Sequence, residues 1–222
     1  LLKTTVTENA TVSTTANERN AKIIATEDGG FVMVWFADTN ASANAADTIL
    51  ARRYDANGDP VGASFVVTAN AVPLTNMSLD EAGWADWQIK SLGSNGNFAI
   101  AYTKLVSDAS STTDSNTKDI EVKLYNASGT VLSTTQMGNI EVANSADANV
   151  KLAAVGNTGQ YVVTWSGTDT GGDRNVFVQK FNADGTGQWV ELSTKNPAVS
   201  GFAGFDFKTQ ADICVFTRLA AD

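Results

Sequence analysis

Short segments in which every second residue is apolar run along the chain and predict β-strands. One of them places Ile120, Val122 and Leu124 at alternate positions. The residues between them, Glu121 and Lys123, are charged, so the segment has the pattern of a strand with one buried face. Polar stretches rich in Gly, Asn, Ser and Thr separate these segments, and helical periodicity does not extend beyond about one turn. The pattern therefore predicts an all-β protein.

Two sequence motifs recur together three times. The first has a turn glycine, an aromatic residue, three smaller and mostly apolar residues and a closing aromatic residue. The second ends with an aromatic residue, Asp or Asn, Ala, a polar residue and Gly, and its glycine predicts a hairpin turn because glycine adopts positive φ without steric cost. The first motif lies at 29–35, 96–102 and 159–165, with a weaker copy at 213–217, and the second lies at 49–58, 120–129 and 176–185.

Each pair of motifs is flanked by two further apolar segments, which predicts a four-stranded antiparallel meander per repeat. Because one meander cannot bury both of its faces alone, successive meanders should pack face to face. We expect a β-propeller-like fold of about four blades, the last completed by the N-terminal segment or by a neighbouring chain. Its parts are an N-terminal strand segment (1–20), three repeats (21–67, 84–133, 149–192) and a half repeat (203–222). The aromatic residues expected between the sheets are Phe31, Trp35, Phe98, Tyr102, Tyr161 and Trp165.

Composition and charge exclude several kinds of function. With 222 residues and 43% apolar content, the chain can form one all-β domain. Its formal charge of -9 argues against nucleic acid and anionic lipid as partners. Histidine is absent, which removes Ser-His-Asp and Cys-His catalysis and histidine-containing zinc sites.

Two further features concern the ends of the chain and its single cysteine. No apolar stretch approaches the roughly 20 residues that cross a bilayer, so we expect no membrane insertion. The sequence starts at Leu1 without a signal pattern, and we expect a processed form or a piece of a longer protein. Cys214 lies in an apolar, strand-like segment and is interpreted as a small core residue.

The repeats resemble a known kind of sequence. Segments 30–58, 97–129 and 160–185 are similar to the "GG-aromatic-V-V-x-W … Q-R-aromatic-D-x-x-G" repeats of large secreted bacterial surface proteins, including adhesins of the RTX type. The resemblance implies a propeller-like fold and an extracellular or cell-surface location, and it brings no catalytic motif. The glycine-rich calcium nonapeptides of RTX proteins are missing, so the resemblance does not imply calcium binding of that kind.

Acidic residues between the second and third strands of each repeat are candidates for metal binding. In a propeller these loops share one rim, and calcium takes roughly six to eight oxygen ligands. No loop has the D-x-D-x-D-G spacing of a compact calcium site, so solvated carboxylates are the alternative, and two carboxylates at a fixed separation would also suit a glycosidase. The candidates are Asp38, Asp47, Asp114, Asp119, Asp169 and Asp173.

Trp84 and Trp87 have no counterparts in the other repeats. A tryptophan outside the repeated pattern is a candidate for a sugar platform or a subunit contact. For Trp87, packing in the core is the favoured alternative, and for Trp84 the two interpretations are equally good.

From the sequence we expect a non-catalytic extracellular structural or adhesive module, able to assemble into a surface layer or filament by strand exchange, and not an enzyme. The alternatives are a carbohydrate-binding, lectin-like propeller and a glycoside-active enzyme. The expected partners are further copies of the chain, another surface protein or a glycan, and calcium is the only cofactor considered.

Overall fold

The computed structural model describes residues 17–38, 47–71, 87–93, 95–106, 117–137, 148–168 and 174–190. Every regular element within these ranges is a β-strand, and none of them contains a helix long and apolar enough to cross a membrane. The predicted all-β fold is confirmed. The strands are β1 Asn17–Ala25, β2 Phe31–Asp38, β3 Asp47–Tyr54, β4 Pro60–Ala71, β5 Trp87–Ser91, β6 Phe98–Val106, β7 Thr117–Tyr125, β8 Val131–Gln136, β9 Ala148–Val155, β10 Gln160–Thr168, β11 Arg174–Phe181 and β12 Gly187–Val190.

The strands form three antiparallel four-stranded meanders, as the repeats predict. Sheet one contains β1 to β4, sheet two β5 to β8 and sheet three β9 to β12, each paired in chain order. Sheets one and two also meet through one residue pair, Ala71 of β4 with Lys104 of β6. The repeated meanders and their propeller-like arrangement are therefore confirmed. Residues 1–16 and 203–222 lie outside the described residues, so the closure of the last blade and the boundaries of the parts stay predictions.

Sheet two is the middle layer, and both of its faces are buried. Along β6, Phe98 and Ile100 belong to the core shared with sheet one, whereas Ala99 and Ala101 belong to the core shared with sheet three. The alternation of side chains along a strand assigns successive residues to opposite faces, so one strand supplies both cores.

The closing aromatic residues of the first motif occupy equivalent positions in the three sheets. Trp35, Tyr102 and Trp165 are all buried, with exposed fractions of 5%, 0% and 1%. The opening aromatic residues stack on the directly opposite aromatic residue of the second motif, at centroid distances of 4.7, 5.0 and 4.7 Å. The stacked pairs are Phe31 with Tyr54, Phe98 with Tyr125 and Tyr161 with Phe181.

A close contact between two turns explains why the two motifs recur together. Gly96, in the β5–β6 turn, has φ +68°, and a Cβ atom added there would lie 2.8 Å from the Cβ atom of Ala127 in the β7–β8 turn. Sheet three has the same contact, 2.9 Å, between Gly159 and Ala183. Only glycine permits both the backbone conformation and the approach of the second turn, so the glycine and the alanine form one packing unit.

Candidate functional site

The strand ends that lead into the long connections of the chain share one edge of the sheets. Because neighbouring strands run in opposite directions, the connections after β2, β4, β6, β8 and β10 all leave from the same edge, which we call the long-loop rim. At the opposite edge, tight turns join the strands, such as the one in which the Gly129 amide donates a hydrogen bond to the Asn126 carbonyl. Loops on a rigid scaffold are the usual place for binding and catalytic groups, so the candidate site lies at the long-loop rim.

The strand register brings several nominated residues together at this rim. Asp38 pairs with Asn17, Asp47 pairs with Ala71, and the last β2–β3 pair is Ala37–Thr48, so Asp38 and Asp47 are the next residues along these two strands. The register then runs through Ala71 into sheet two. We call this line of adjacent positions the rim row: Asn17, Asp38, Asp47, Ala71, Lys104 and Asp119. It contains three of the six nominated aspartates.

The other nominated aspartates and one tryptophan lie outside the described residues. They are Asp114, Asp169, Asp173 and Trp84. Within the described ranges, no three acidic or other metal-binding side chains are grouped so as to hold a metal ion, and calcium stays a hypothesis. The one nominated aspartate whose side chain is described, Asp119, accepts a hydrogen bond from the Gln136 amide.

A buried ionic cluster lies directly beneath the rim row, between sheets one and two. Glu121 of β7 is 8% exposed, and its Oε1 accepts a hydrogen bond from the hydroxyl of Tyr102 on β6. The Nζ atom of Lys104 lies 2.5 Å from Oε2, and that of Lys123 lies 3.7 Å from Oε1. We call these four side chains the Glu121 cluster. The alternation in 120–124 was interpreted as a strand with one buried face, and this is wrong: the charged face is covered by sheet one.

The cluster shifts the ionisation of its members. Burial acts to raise the pKa of Glu121, but hydrogen bonds from Lys104 and Tyr102 and the charges of Lys104 and Lys123 outweigh burial and hold that pKa below its usual range. Burial, the hydrogen bond to Glu121 and its negative charge all raise the pKa of Tyr102 well above its usual range. Glu121 is therefore an anion and Tyr102 a neutral donor at neutral pH.

The repeats show that the fold does not need a charge at this position. Glu121 lies opposite Tyr102, as Leu50 lies opposite Trp35 in sheet one and Phe177 opposite Trp165 in sheet three. Alignment of the repeats could have found the cluster, because a charged residue stands where the other copies are apolar. Sequence reasoning missed it by treating the strand in isolation.

Trp87 lies in the same interface. Its side chain is 2% exposed in the core between sheets one and two, and the Lys22 ammonium group lies 4.6 Å from the ring centroid. Lys22 also donates a hydrogen bond to the Trp87 carbonyl group, while Lys123 donates one in the opposite direction to the Val67 carbonyl group at 2.5 Å. This placement fits the core interpretation of Trp87, since a sugar platform requires an exposed ring face.

Comparison with known proteins finds similarity of structure only. No family model and no curated protein matches the chain. An endo-arabinase from Bacteroides thetaiotaomicron is 13% identical over 79% of this chain and 61% of its own, with a TM-score of 0.38. An exotype rhamnogalacturonan lyase is 11% identical over 78% of this chain and 41% of its own, TM-score 0.38. A thermostable family-43 glycoside hydrolase is 14% identical over 81% and 59%, TM-score 0.37.

This comparison corrects one expectation. The chain was expected to be a non-catalytic structural or adhesive module, but the three similar structures are an endo-arabinase, an exotype rhamnogalacturonan lyase and a family-43 glycoside hydrolase, and the expectation is contradicted. The chain spans 41% to 61% of the length of these proteins. At such low identity the likeness concerns the fold alone, so the function has to be argued from the chain's own residues. The resemblance to surface-protein repeats stays a prediction.

Proposed function

We propose that the chain acts on a glycoside at the long-loop rim, with Asp38 and Asp47 as a pair of cooperating carboxylates. The observation that carries the proposal is their position: Asp38 and Asp47 lie immediately beyond Ala37–Thr48, the last β2–β3 pair, and the same register continued by one residue would place them opposite each other. Residues directly opposite each other in an antiparallel pair have Cβ atoms roughly 5 Å apart. Glycoside hydrolysis uses two carboxyl groups, one to protonate the leaving oxygen and one as base or nucleophile.

The other repeats support a functional reason for this acidic pair. Like charges directly opposite each other destabilise a sheet. The equivalent opposite pairs are Leu105 with Lys118 in sheet two and Thr168 with Arg174 in sheet three. Sheet one alone has two acidic residues at this place, at a cost in stability that the repeat does not require.

The chemistry of the chain also favours carboxylates. Without histidine, proton transfer near neutral pH has to come from acidic groups with shifted pKa values or from Lys and Tyr. When two carboxyl groups share a site, repulsion raises the pKa of one of them, which supplies an acid and a base together. Asp119, which lies opposite Lys104, continues the rim row into sheet two and adds a carboxylate for the hydroxyls of a saccharide.

The proposal carries a partner and a location with it. The partner is a glycan, and an extracellular or cell-surface location, where polysaccharides are accessible, is part of the proposal. It departs from the expectation that the chain is not an enzyme, which the experiment below tests.

The test is the release of reducing ends or unsaturated products from a broad polysaccharide panel by the wild type, Asp38→Asn and Asp47→Asn. We expect each variant to lose about 10²–10⁴-fold in turnover, the usual contribution of general acid–base catalysis. Asp55→Asn is the matched control, because Asp55 begins a tight turn at the opposite edge and its equivalents are Asn126 and Asn182. Full activity of both rim variants, or no turnover by the wild type on the whole panel, would remove the proposal.

A further inference from the structure

The tight turn between β3 and β4 contains an asparagine that is followed by a glycine. Asn57 is exposed, and its side-chain amide has no hydrogen-bond partner among the described residues. Gly58 has φ +80°, and no described heavy atom beyond its chain neighbours lies within 4 Å of a Cβ atom added to it. Packing therefore does not hinder the approach of the Asn57 side chain to the backbone nitrogen of Gly58.

The side chain at the place of Asn57 is held in the other two turns. In sheet two, the Ser128 hydroxyl donates a hydrogen bond to Asn126 Oδ1 at 2.7 Å. In sheet three, Asp184 Oδ1 accepts hydrogen bonds from the backbone amide and the hydroxyl of Thr186, at 2.8 and 2.6 Å. Such local bonds restrict the rotation of a turn side chain. Of the three turns, the one in sheet one has this side chain without a partner in the described part of the chain.

The glycine is packed in the other two turns as well. A Cβ atom added to Gly129 would lie 3.1 Å from the ring of Phe65 on β4, and one added to Gly185 would lie 2.5 Å from the Cβ atom of Ser133 on β8. Each of these turns therefore rests on the preceding sheet. The turn at Gly58 has no such support among the residues that the structure describes. A mobile side chain and an unpacked glycine thus coincide in sheet one.

We propose that Asn57 is a site of self-modification, at which the protein deamidates through its own backbone. The backbone nitrogen of Gly58 forms a bond to Cγ of Asn57, the Cγ–Nδ2 bond breaks, and ammonia leaves with the proton that the Gly58 amide gives up. Water then opens the cyclic imide, at Cγ to give aspartate or at the main-chain carbonyl carbon to give isoaspartate. Water is the only co-reactant. Because the attack is intramolecular, its rate depends on how freely the two atoms reach each other.

The sequence contains a second Asn–Gly step, Asn95–Gly96, in the β5–β6 turn. Asn95 is exposed like Asn57, but a Cβ atom added to Gly96 would lie 2.8 Å from the Cβ atom of Ala127. In both steps the glycine amide donates a hydrogen bond to a carbonyl group of its turn, at 3.0 and 3.2 Å, so this bond does not distinguish them. The packing of the glycine does, and Asn95 should therefore react more slowly.

Each product changes the turn in a defined way. Isoaspartate lengthens the backbone between residues 57 and 58, so the Gly58 amide no longer matches its hydrogen bond to the Asp55 carbonyl group. Aspartate keeps the backbone, as Asp184 does in the sheet-three turn, but it adds a carboxylate two residues from both Asp55 and Asp59. The turn lies at the edge opposite the long-loop rim, so this inference goes beyond the proposed function and does not rest on it.

The experiment follows both asparagines in the full chain during incubation at mildly alkaline pH, by peptide mapping with mass spectrometry that distinguishes aspartate from isoaspartate. We expect Asn57 to convert about tenfold faster than Asn95, a difference of about 1.4 kcal/mol between the two barriers. In the urea-denatured chain both should convert at similar rates, because the packing is lost. The matched control is Ser128→Asn, which places the same Asn–Gly step in the sheet-two turn, where Gly129 lies against Phe65. The introduced asparagine should convert as slowly as Asn95.

Faster conversion of Asn57 in the folded chain, lost in urea, supports the inference. Conversion of Asn95, or of the asparagine introduced by Ser128→Asn, at the rate of Asn57 in the folded chain would overturn it. So would an Asn57 that converts only in the denatured chain, or a difference that persists in urea and so comes from sequence alone. The wild-type comparison needs no variant and decides even if Ser128→Asn does not fold. Saccharide turnover is not measured, so either proposal can fail while the other stands.

Discussion

Replacing Glu121 by leucine should destabilise the protein, although sheet one has a leucine at the equivalent position. The change removes the acceptor of the Tyr102 hydroxyl and the counter-charge of Lys104. Removing one partner of a buried ion pair costs about 3–5 kcal/mol, because the other charge is left uncompensated. The side chains of Lys104 and Lys123 are 16% and 20% exposed, which allows some hydration, so we expect the lower end, about 3 kcal/mol.

Most of that free energy should be recovered when the partners are removed too. In the variant Tyr102→Phe/Lys104→Met/Glu121→Leu, no hydroxyl or ammonium group is left without its partner, and replacement of a whole buried polar set by apolar residues is often neutral. Lys123 keeps its hydrogen bond to the Val67 carbonyl group. We expect the triple variant to lie within about 1 kcal/mol of the wild type. Urea unfolding followed by tryptophan fluorescence gives both free energies, and equal m-values validate the comparison.

The pH dependence gives a second measure of the same cluster. Burial acts to raise the pKa of Glu121, but the hydrogen bonds and lysine charges hold it below the 4.5 of an unperturbed glutamate. The stabilisation is therefore complete above pH 4.5 and is lost as the pH falls through the folded-state pKa. The difference between wild type and Glu121→Leu should be constant near neutral pH and shrink on acidification. The reasoning would be refuted if Glu121→Leu lowered the free energy of unfolding by less than about 1 kcal/mol, or if the triple variant lowered it as much as Glu121→Leu does.

Two further predictions concern packing at the turns and between sheets two and three. Gly58→Ala should lower the free energy of unfolding by about 1 kcal/mol, because a residue with a Cβ atom is strained at positive φ. Gly96→Ala should lower it by about 2–3 kcal/mol, because its Cβ would also lie 2.8 Å from the Cβ of Ala127. Thermal unfolding measures both, and equal costs would show that the turns do not pack as described. Gln179 is 4% exposed, and its Oε1 has no hydrogen-bond partner within the described part of the chain, so Gln179→Leu should be neutral or stabilise by up to about 1 kcal/mol. A loss above about 2 kcal/mol would contradict this.

The meanders could be predicted from sequence because each depends on local patterns. Alternation identifies a strand, and the paired glycine and alanine, such as Gly96 and Ala127, identify two turns that pack together. The placement of Glu121 could not be predicted in this way. Alternation shows which residues share a face but not what covers that face. In stacked sheets, the strand of sheet one that β7 contacts is β4, which lies more than 45 residues earlier in the chain. The Val67 carbonyl group of β4 accepts a hydrogen bond from Lys123, which is 56 residues away in sequence.

The rim row illustrates the same distinction. The rule that loops between second and third strands share a rim predicts the six candidate aspartates. It does not predict which residues of neighbouring strands lie opposite each other. Asp38 and Asp47 come to the same end of neighbouring strands only through the pairing of β2 with β3, and Asp119 joins them only through the single bridge between Ala71 and Lys104. Such long-range register depends on how the intervening segments pack, which the alternation pattern does not contain.

The two interfaces of sheet two differ in a way that the repeat itself does not explain. Towards sheet three, the core contains the stacked pair Trp165 and Phe177, and its buried polar groups, such as Gln179, are uncharged. Towards sheet one, the equivalent position is the carboxylate of Glu121 with two lysines. Since the same meander builds both interfaces, an apolar core is available to either, and a buried ion cluster is rarely the more stable choice. The charged interface also ends at the rim row, where the acidic pair of sheet one departs from the other repeats. Two independent departures from the repeat, both unfavourable for stability and both at one place, are what a functional site between sheets one and two would produce.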